Sequence, residues 1–215
     1  MGTKALGPVR DAASMLKVGL TGSIAVGKSF VLSVFKELGC IVFDADRIAH
    51  QCMEPGRPAY EDIVREFGSG ILSNDGRIDR AKLGAIVFQD EARRQKLNGI
   101  VHPRVKEEQD RLLREAAASG PDGVAIVDAA LIIESGGYKR FDKLVVVFCD
   151  PETQIVRLMS RNDIGREEAV SRIAAQMTSD EKRRYADFEI DSSGSFDDTR
   201  RRTIEIFNQL RHGVD

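Results

Sequence analysis

Short runs of nearly continuous apolar, β-branched residues alternate along the chain with stretches whose apolar positions recur every three or four residues. The first run, 16–20, reads as a strand, and the segment 28–38, with Val31, Leu32, Val34, Phe35 and Leu38 on one face, reads as a helix. Gly39 follows where a helix C-cap belongs. Further strands are predicted at 40–43, 124–127 and 143–149, with a weaker one at 188–190. Strands separated by helices predict an α/β fold, a doubly wound and mainly parallel sheet with helices on both faces. Three of the apolar runs end in aspartate, at Asp44, Asp128 and Asp150. Those are the strand ends at which such a sheet gathers its ligands.

The pattern changes between about 47 and 122, where no convincing strand appears and helices are predicted at 59–67, 79–88, 91–100 and 104–118. This reads as a helical insertion in a single domain spanning 15–215. In it, His102-Pro103-Arg104 reads as a helix start, because proline suits a first turn. A second charged segment, 153–182, carries arginines at 157, 161, 166 and 172 and reads as a mobile, Arg-rich lid. Residues 1–14 are small and polar, lack the apolar stretch of a signal peptide, and precede Met15, itself a possible start. They are expected to form a loose tail.

Composition narrows the function classes. The 215 residues are 42% hydrophobic and 31% charged, with a formal net charge of −2 and a pI near 6.0. That balance argues against a general affinity for nucleic acid or anionic membrane. No run approaches the roughly 18 apolar residues that span a bilayer. The three cysteines, Cys40, Cys52 and Cys149, form neither a CxxC pair nor a Cys/His cluster. A cytoplasmic protein, monomeric or weakly self-associating, with small-molecule substrates is the expectation.

The chemistry starts at Gly22-Ser23-Ile24-Ala25-Val26-Gly27-Lys28-Ser29, which satisfies G-x-x-x-x-G-K-[ST] between a strand and a helix. Its glycines let backbone N–H groups turn toward phosphate oxygens, and the following helix adds the positive end of its dipole. Lys28 is placed to neutralise β- and γ-phosphate charge and Ser29 to offer a hydroxyl to Mg²⁺. The chain is thus read as holding a nucleoside triphosphate. In Asp44-Ala45-Asp46 the two carboxylates share a side in extended backbone. Asp44 is the better general base for an attacking alcohol, whereas Asp46 is as well explained as the cap of the next helix. Asp128 has the position of a Walker-B carboxylate on Mg²⁺. Glu134 is placed to face the acceptor, with a solvated glutamate as the alternative. Arg157 and Arg161 share a helical face from which one of them can reach the transferring phosphoryl group, unless that face is merely solvated. His102 and Arg104 offer a hold for a phosphate-bearing acceptor, or simply begin a helix.

Taken together, "GLTGSIAVGKS", "FDADRIAHQCMEPG", "DGRIDRAKLGAIVF", "LNGIVHPRV", "LIIE", "QIVRLMSRND" and "EKRRYADFEID" resemble the dephospho-CoA kinase family from Leu16 to about Gly194. The resemblance implies transfer of the γ-phosphoryl of ATP to the ribose 3′-hydroxyl of dephospho-CoA, with Asp44 as base. It also implies Lys28 and Ser29 at ATP and Mg²⁺, with Phe30 ending the nucleotide loop, Arg161 in the lid, Leu131 and Glu134 on the acceptor side, and the inserted helices as the acceptor-binding part. The chain departs from the family pattern at Ser23 and Ala25, where glycine is usual, and at Phe30, where threonine is usual. It departs also at Ala130, in place of proline, and at Ser192, in place of asparagine. Read from the residues alone, a P-loop kinase for a smaller, shikimate-type alcohol and a non-catalytic nucleotide binder remain open; the lack of an N-K-x-D motif speaks against a GTPase.

Overall fold

A computed structural model describes residues 15–120 and 123–212, for His212 the backbone only; the expected tail at 1–14 lies outside them. Five strands form one sheet: β1 (Leu16–Thr21), β2 (Ile41–Asp44), β3 (Val124–Asp128), β4 (Lys143–Phe148) and β5 (Phe188–Asp191). Their order is β2-β3-β1-β4-β5, and β1 runs parallel to both β3 and β4, as β4 does to β5. The chain leaves β1 toward one edge of the sheet and β4 toward the other, so a crevice opens at the carboxyl ends beside β1.

Alternation along the strands explains their apolar runs. Leu16, Val18 and Leu20 of β1, with Val145 and Val147 of β4, bury into one core against Val31 and Phe35 of α1 (Lys28–Glu37). Ile206, Phe207 and Leu210 of α9 (Phe196–His212) complete it. Leu144 and Val146 point the other way and pack with Ile132, Ile133, Tyr138, Phe141 and Met177. Both faces are covered, which is why the strands read as unbroken hydrophobic stretches. Gly19 lies on the second face, where a Cβ would come within 3.0 Å of Ile132 and 3.1 Å of Leu144.

The described residues fall into two compact units, one made of those up to Phe43 and from Glu115 onward, the other of Asp44–Arg114. The first holds the sheet and adds α6 (Pro151–Asn162), α7 (Arg166–Ala174) and α8 (Ser179–Arg183). The second contains α2 (Ala45–Cys52), α3 (Pro58–Phe67), α4 (Arg80–Gln89) and α5 (Glu91–Ser119) as far as Arg114. Its core is Ile63, Ile71 and Leu83, with Leu97, Ile100 and Val101 packed against it.

Here two expectations are corrected. The helices expected at 91–100 and 104–118 are one, with Pro103 inside it, so His102 does not stand at a helix start. A mid-helix proline loses one backbone bond and crowds the carbonyl four residues back. That residue is Gly99; packing of Leu97, Ile100 and Val101 fixes the turns before the proline, and Leu113 and Ala116 are buried in the turns after it. The cap expected of Asp46 belongs instead to Asp44, whose Oδ1 accepts the Arg47 N–H at 2.9 Å.

Candidate active site

The loop 22–27 connects the buried end of β1 to α1. Gly22 cannot be replaced without rearrangement, since a Cβ there would lie 2.4 Å from the Val147 carbonyl oxygen. Gly27 adopts φ 84° and Ala25 φ 61°, the left-handed turns that bend successive amides toward a common centre. Gln154 Nε2 donates to the Ile24 carbonyl at 2.7 Å and Gln176 Oε1 accepts the Ile24 N–H at 2.9 Å. Ser23 is buried and its hydroxyl donates to the Met177 carbonyl at 3.0 Å. Thus two departures from the family pattern have opposite consequences: Ser23 adds a tie, whereas Ala25 sits where an L side chain is strained. The first-turn amides of α1 begin directly after this loop with Lys28 and Ser29, while the Phe30 N–H already donates to the Gly27 carbonyl at 3.1 Å.

Register places Asp128 opposite Leu20, and its Oδ1 accepts from Lys28 Nζ at 2.6 Å. Both side chains are about four-fifths buried, at 18% and 20% exposure. The two charges neutralise each other, and Lys28 itself closes the phosphate loop. Ser29 is exposed on the first turn of α1.

Past Asp128, the Ala130 carbonyl accepts from Thr21 Oγ1 at 3.1 Å and from Lys182 Nζ at 2.8 Å. Lys182 is 1% exposed, and its second contact is Glu134 Oε1 at 2.7 Å. Glu134 is therefore occupied by a buried ammonium, while Leu131 projects into solvent at 58% exposure. Lys182 carries no site role in the sequence reading; its burial distinguishes it.

A cleft of about 740 Å³ is lined by the phosphate loop, by Arg157 and Arg161 of α6, and by the segment from Ser192 to Thr199. Arg157 donates to the Ser192 carbonyl at 2.8 Å and to its hydroxyl at 3.2 Å. The Ser192 hydroxyl in turn donates to the Val26 carbonyl at 2.7 Å. Serine in place of asparagine thus clamps the phosphate loop to the end of β5. Arg161 Nε donates only to its neighbour Asn162, at 2.9 Å. Burial pushes the Cys149 thiol upward, against the opposing pull of Arg157. Phe196, also absent from the sequence reading, is 71% exposed on this wall.

The remaining candidates lie in the second unit. Asp44 ends β2 and begins α2, with Oδ1 engaged by Arg47 N–H as described. His102 is exposed on α5. Arg104 pairs with Glu107 at 3.1 Å and Asp62 at 3.6 Å, so it is already balanced by two carboxylates. Among the described residues no group of three or more His, Cys, Asp or Glu side chains could hold a metal ion, and no helix is long and apolar enough to cross a membrane.

A family model described as dephospho-CoA kinase matches residues 16–198. A dephospho-CoA kinase from Symbiobacterium thermophilum is 49% identical over 85% of this chain and 76% of its own. Another from Carboxydothermus hydrogenoformans is 44% identical over 90% of this chain and 94% of its own. In three dimensions, a dephospho-CoA kinase from Campylobacter jejuni superposes with a TM-score of 0.70 at 28% identity, over 92% of this chain and 98% of that one.

Proposed function

Because the chain belongs to the dephospho-CoA kinase family, which phosphorylates the hydroxyl of dephospho-CoA with ATP in the last step of coenzyme A synthesis, we propose that Lys28, Asp44, Asp128 and Arg161 carry the transfer. Of the acceptors left open by the residues alone, family membership selects dephospho-CoA over a smaller alcohol. The observation that most supports the assignment is the Lys28–Asp128 pair of 2.6 Å at the mouth of the phosphate loop.

In this reading the α1 amides and Lys28 bind the β- and γ-phosphates, which lowers the charge that an approaching oxygen must overcome. Asp44 orients the ribose 3′-hydroxyl and takes its proton through Oδ2, the oxygen not used by Arg47, as the new O–P bond forms and ADP leaves. Arg161, with its terminal guanidinium nitrogens not committed to a carboxylate, closes over the transferring group from the lid at 153–182. The helical insertion holds the acceptor through His102 and Arg104, and Leu131 and Glu134, in the unit of the sheet, are the further acceptor residues.

The donor set Ser29 hydroxyl and Asp128 carboxylate is all hard oxygen and small in number, which fits Mg²⁺, an ion that keeps waters and phosphate oxygens rather than a full protein cage. Mg²⁺ held by these two residues would neutralise phosphate charge. The protein acts in the cytoplasm as a monomer or weak oligomer.

Asp44→Asn tests the core of the proposal. Nucleotide affinity should stay within twofold, while coenzyme A formation, followed by ADP release and product chromatography, falls about 100-fold or more. A variant that kept near-normal turnover would remove Asp44 as base.

A further inference from the structure

The cleft carries two aromatic rings on its wall. Phe30, on the first turn of α1, meets Phe196, the first residue of α9, edge to face at 61° with centroids 4.8 Å apart. Both line the cleft. An apolar ring left 71% in water on the wall of a cleft is a surface waiting for a partner.

The polar side chains of the same wall are already engaged with one another. Ser195 Oγ donates to Asp198 Oδ2 at 2.6 Å, and Thr199 Oγ1 donates to the Ser195 carbonyl at 3.1 Å. Ser192 is held between Val26 and Arg157. What this wall offers a ligand is therefore chiefly a π-face. With the triphosphate fixed on Lys28 and the α1 amides, two residues from Phe30 in sequence, the nucleoside is the part left to cover the aromatic wall.

We infer that Phe30 and Phe196 form a stacking platform for the nucleotide base, and that this chain selects its phosphoryl donor by the area of that base more than by its hydrogen-bonding edge. Phe30 braces the Phe196 ring from the side, and the base covers the ring's open face. Purine triphosphates, ATP and GTP alike, are favoured over CTP and UTP, because every base has a π-face and purines have the larger one. The inference rests on the proposed phosphate site and deepens it.

The test uses the full chain with dephospho-CoA as acceptor, ATP, GTP, CTP and UTP as donors, and inorganic tripolyphosphate as a base-free competitor of ATP. Phe196→Ala should raise the KM for ATP about tenfold, from the usual worth of one base–aromatic stack. It should narrow the purine–pyrimidine ratio and leave kcat, the KM for dephospho-CoA and tripolyphosphate inhibition within twofold. Phe196→Leu, which keeps apolar bulk without the ring, should fall with alanine, and Phe196→Trp should tighten ATP.

An ATP KM unchanged in Phe196→Ala overturns the inference, as does a change in sedimentation alone, which would make the ring a contact between copies. Equal weakening of ATP and tripolyphosphate overturns it too, by assigning the effect to the phosphate loop. Failure of tripolyphosphate to compete with ATP in the unaltered protein instead removes the phosphate site on which the inference stands.

Discussion

Replacing Lys182 by methionine keeps the length of the side chain and removes its charge. Two contacts are lost, to Glu134 Oε1 and to the Ala130 carbonyl. The carbonyl keeps Thr21 Oγ1 at 3.1 Å, so it is not orphaned. The carboxylate has no such reserve, yet its side chain is 25% exposed and regains part of its hydration. Breaking a fully buried ion pair costs roughly 3–5 kcal/mol; the remaining hydration of Glu134 puts the expected loss near the lower end, about 3 kcal/mol. That is a large part of the roughly 5–15 kcal/mol that stabilises a domain.

Urea unfolding with linear extrapolation measures it. A second variant isolates the cause: in Lys182→Met/Glu134→Gln no uncompensated charge remains, and about 1 kcal/mol or more should return. A single-variant loss under about 1 kcal/mol, or no recovery in the double variant, would refute the claim that a buried charge pair anchors this loop.

Two further expectations follow from single residues. Ala25, at φ 61°, should give way to glycine with a gain of about 0.5–1 kcal/mol in urea unfolding, since relief of left-handed strain outweighs the added unfolded-state entropy; a loss would mean that the Ala25 side chain packs usefully. Cys40 is buried at the end of the core, and burial, opposed by Arg211, pushes its thiol from the ordinary 9.0 up to about 12. The fold favours the protonated thiol, so stability is full below pH 9 and declines as pH rises toward 12. Cys40→Ala should flatten that decline between pH 9 and 10.5, and parallel curves for the two proteins would exclude the thiol as its source.

The strands, the phosphate loop and the aspartates that close β2 and β3 were legible because their signals are local. A strand buried on both faces must be apolar at every position, as Leu16 to Leu20 and Lys143 to Phe148 nearly are. The phosphate loop depends on glycine at fixed offsets before a helix. Local signals also misled. His102-Pro103 has the chemistry of a helix start, but the decision between a break and a 29-residue helix lay with burial on both sides of the proline, of Leu97, Ile100 and Val101 before it and of Leu113 and Ala116 after it. Asp44 and Asp46 are equally good caps on paper, and the turn of the chain after β2 chose Asp44.

The sequence by itself determined that this chain builds a parallel sheet around a phosphate loop, because the periodicity of burial and the backbone freedom of glycine are written residue by residue. Only the tertiary structure decided what surrounds that loop. Lys182 and Glu134 are separated by 48 positions, Ser192 and Val26 by 166, and Phe30 meets Phe196 across nearly the whole chain. Whether such a lysine is solvated or buried, or such a ring lies in a core or on a cleft, depends on which distant elements fold against it, and no local pattern carries that information.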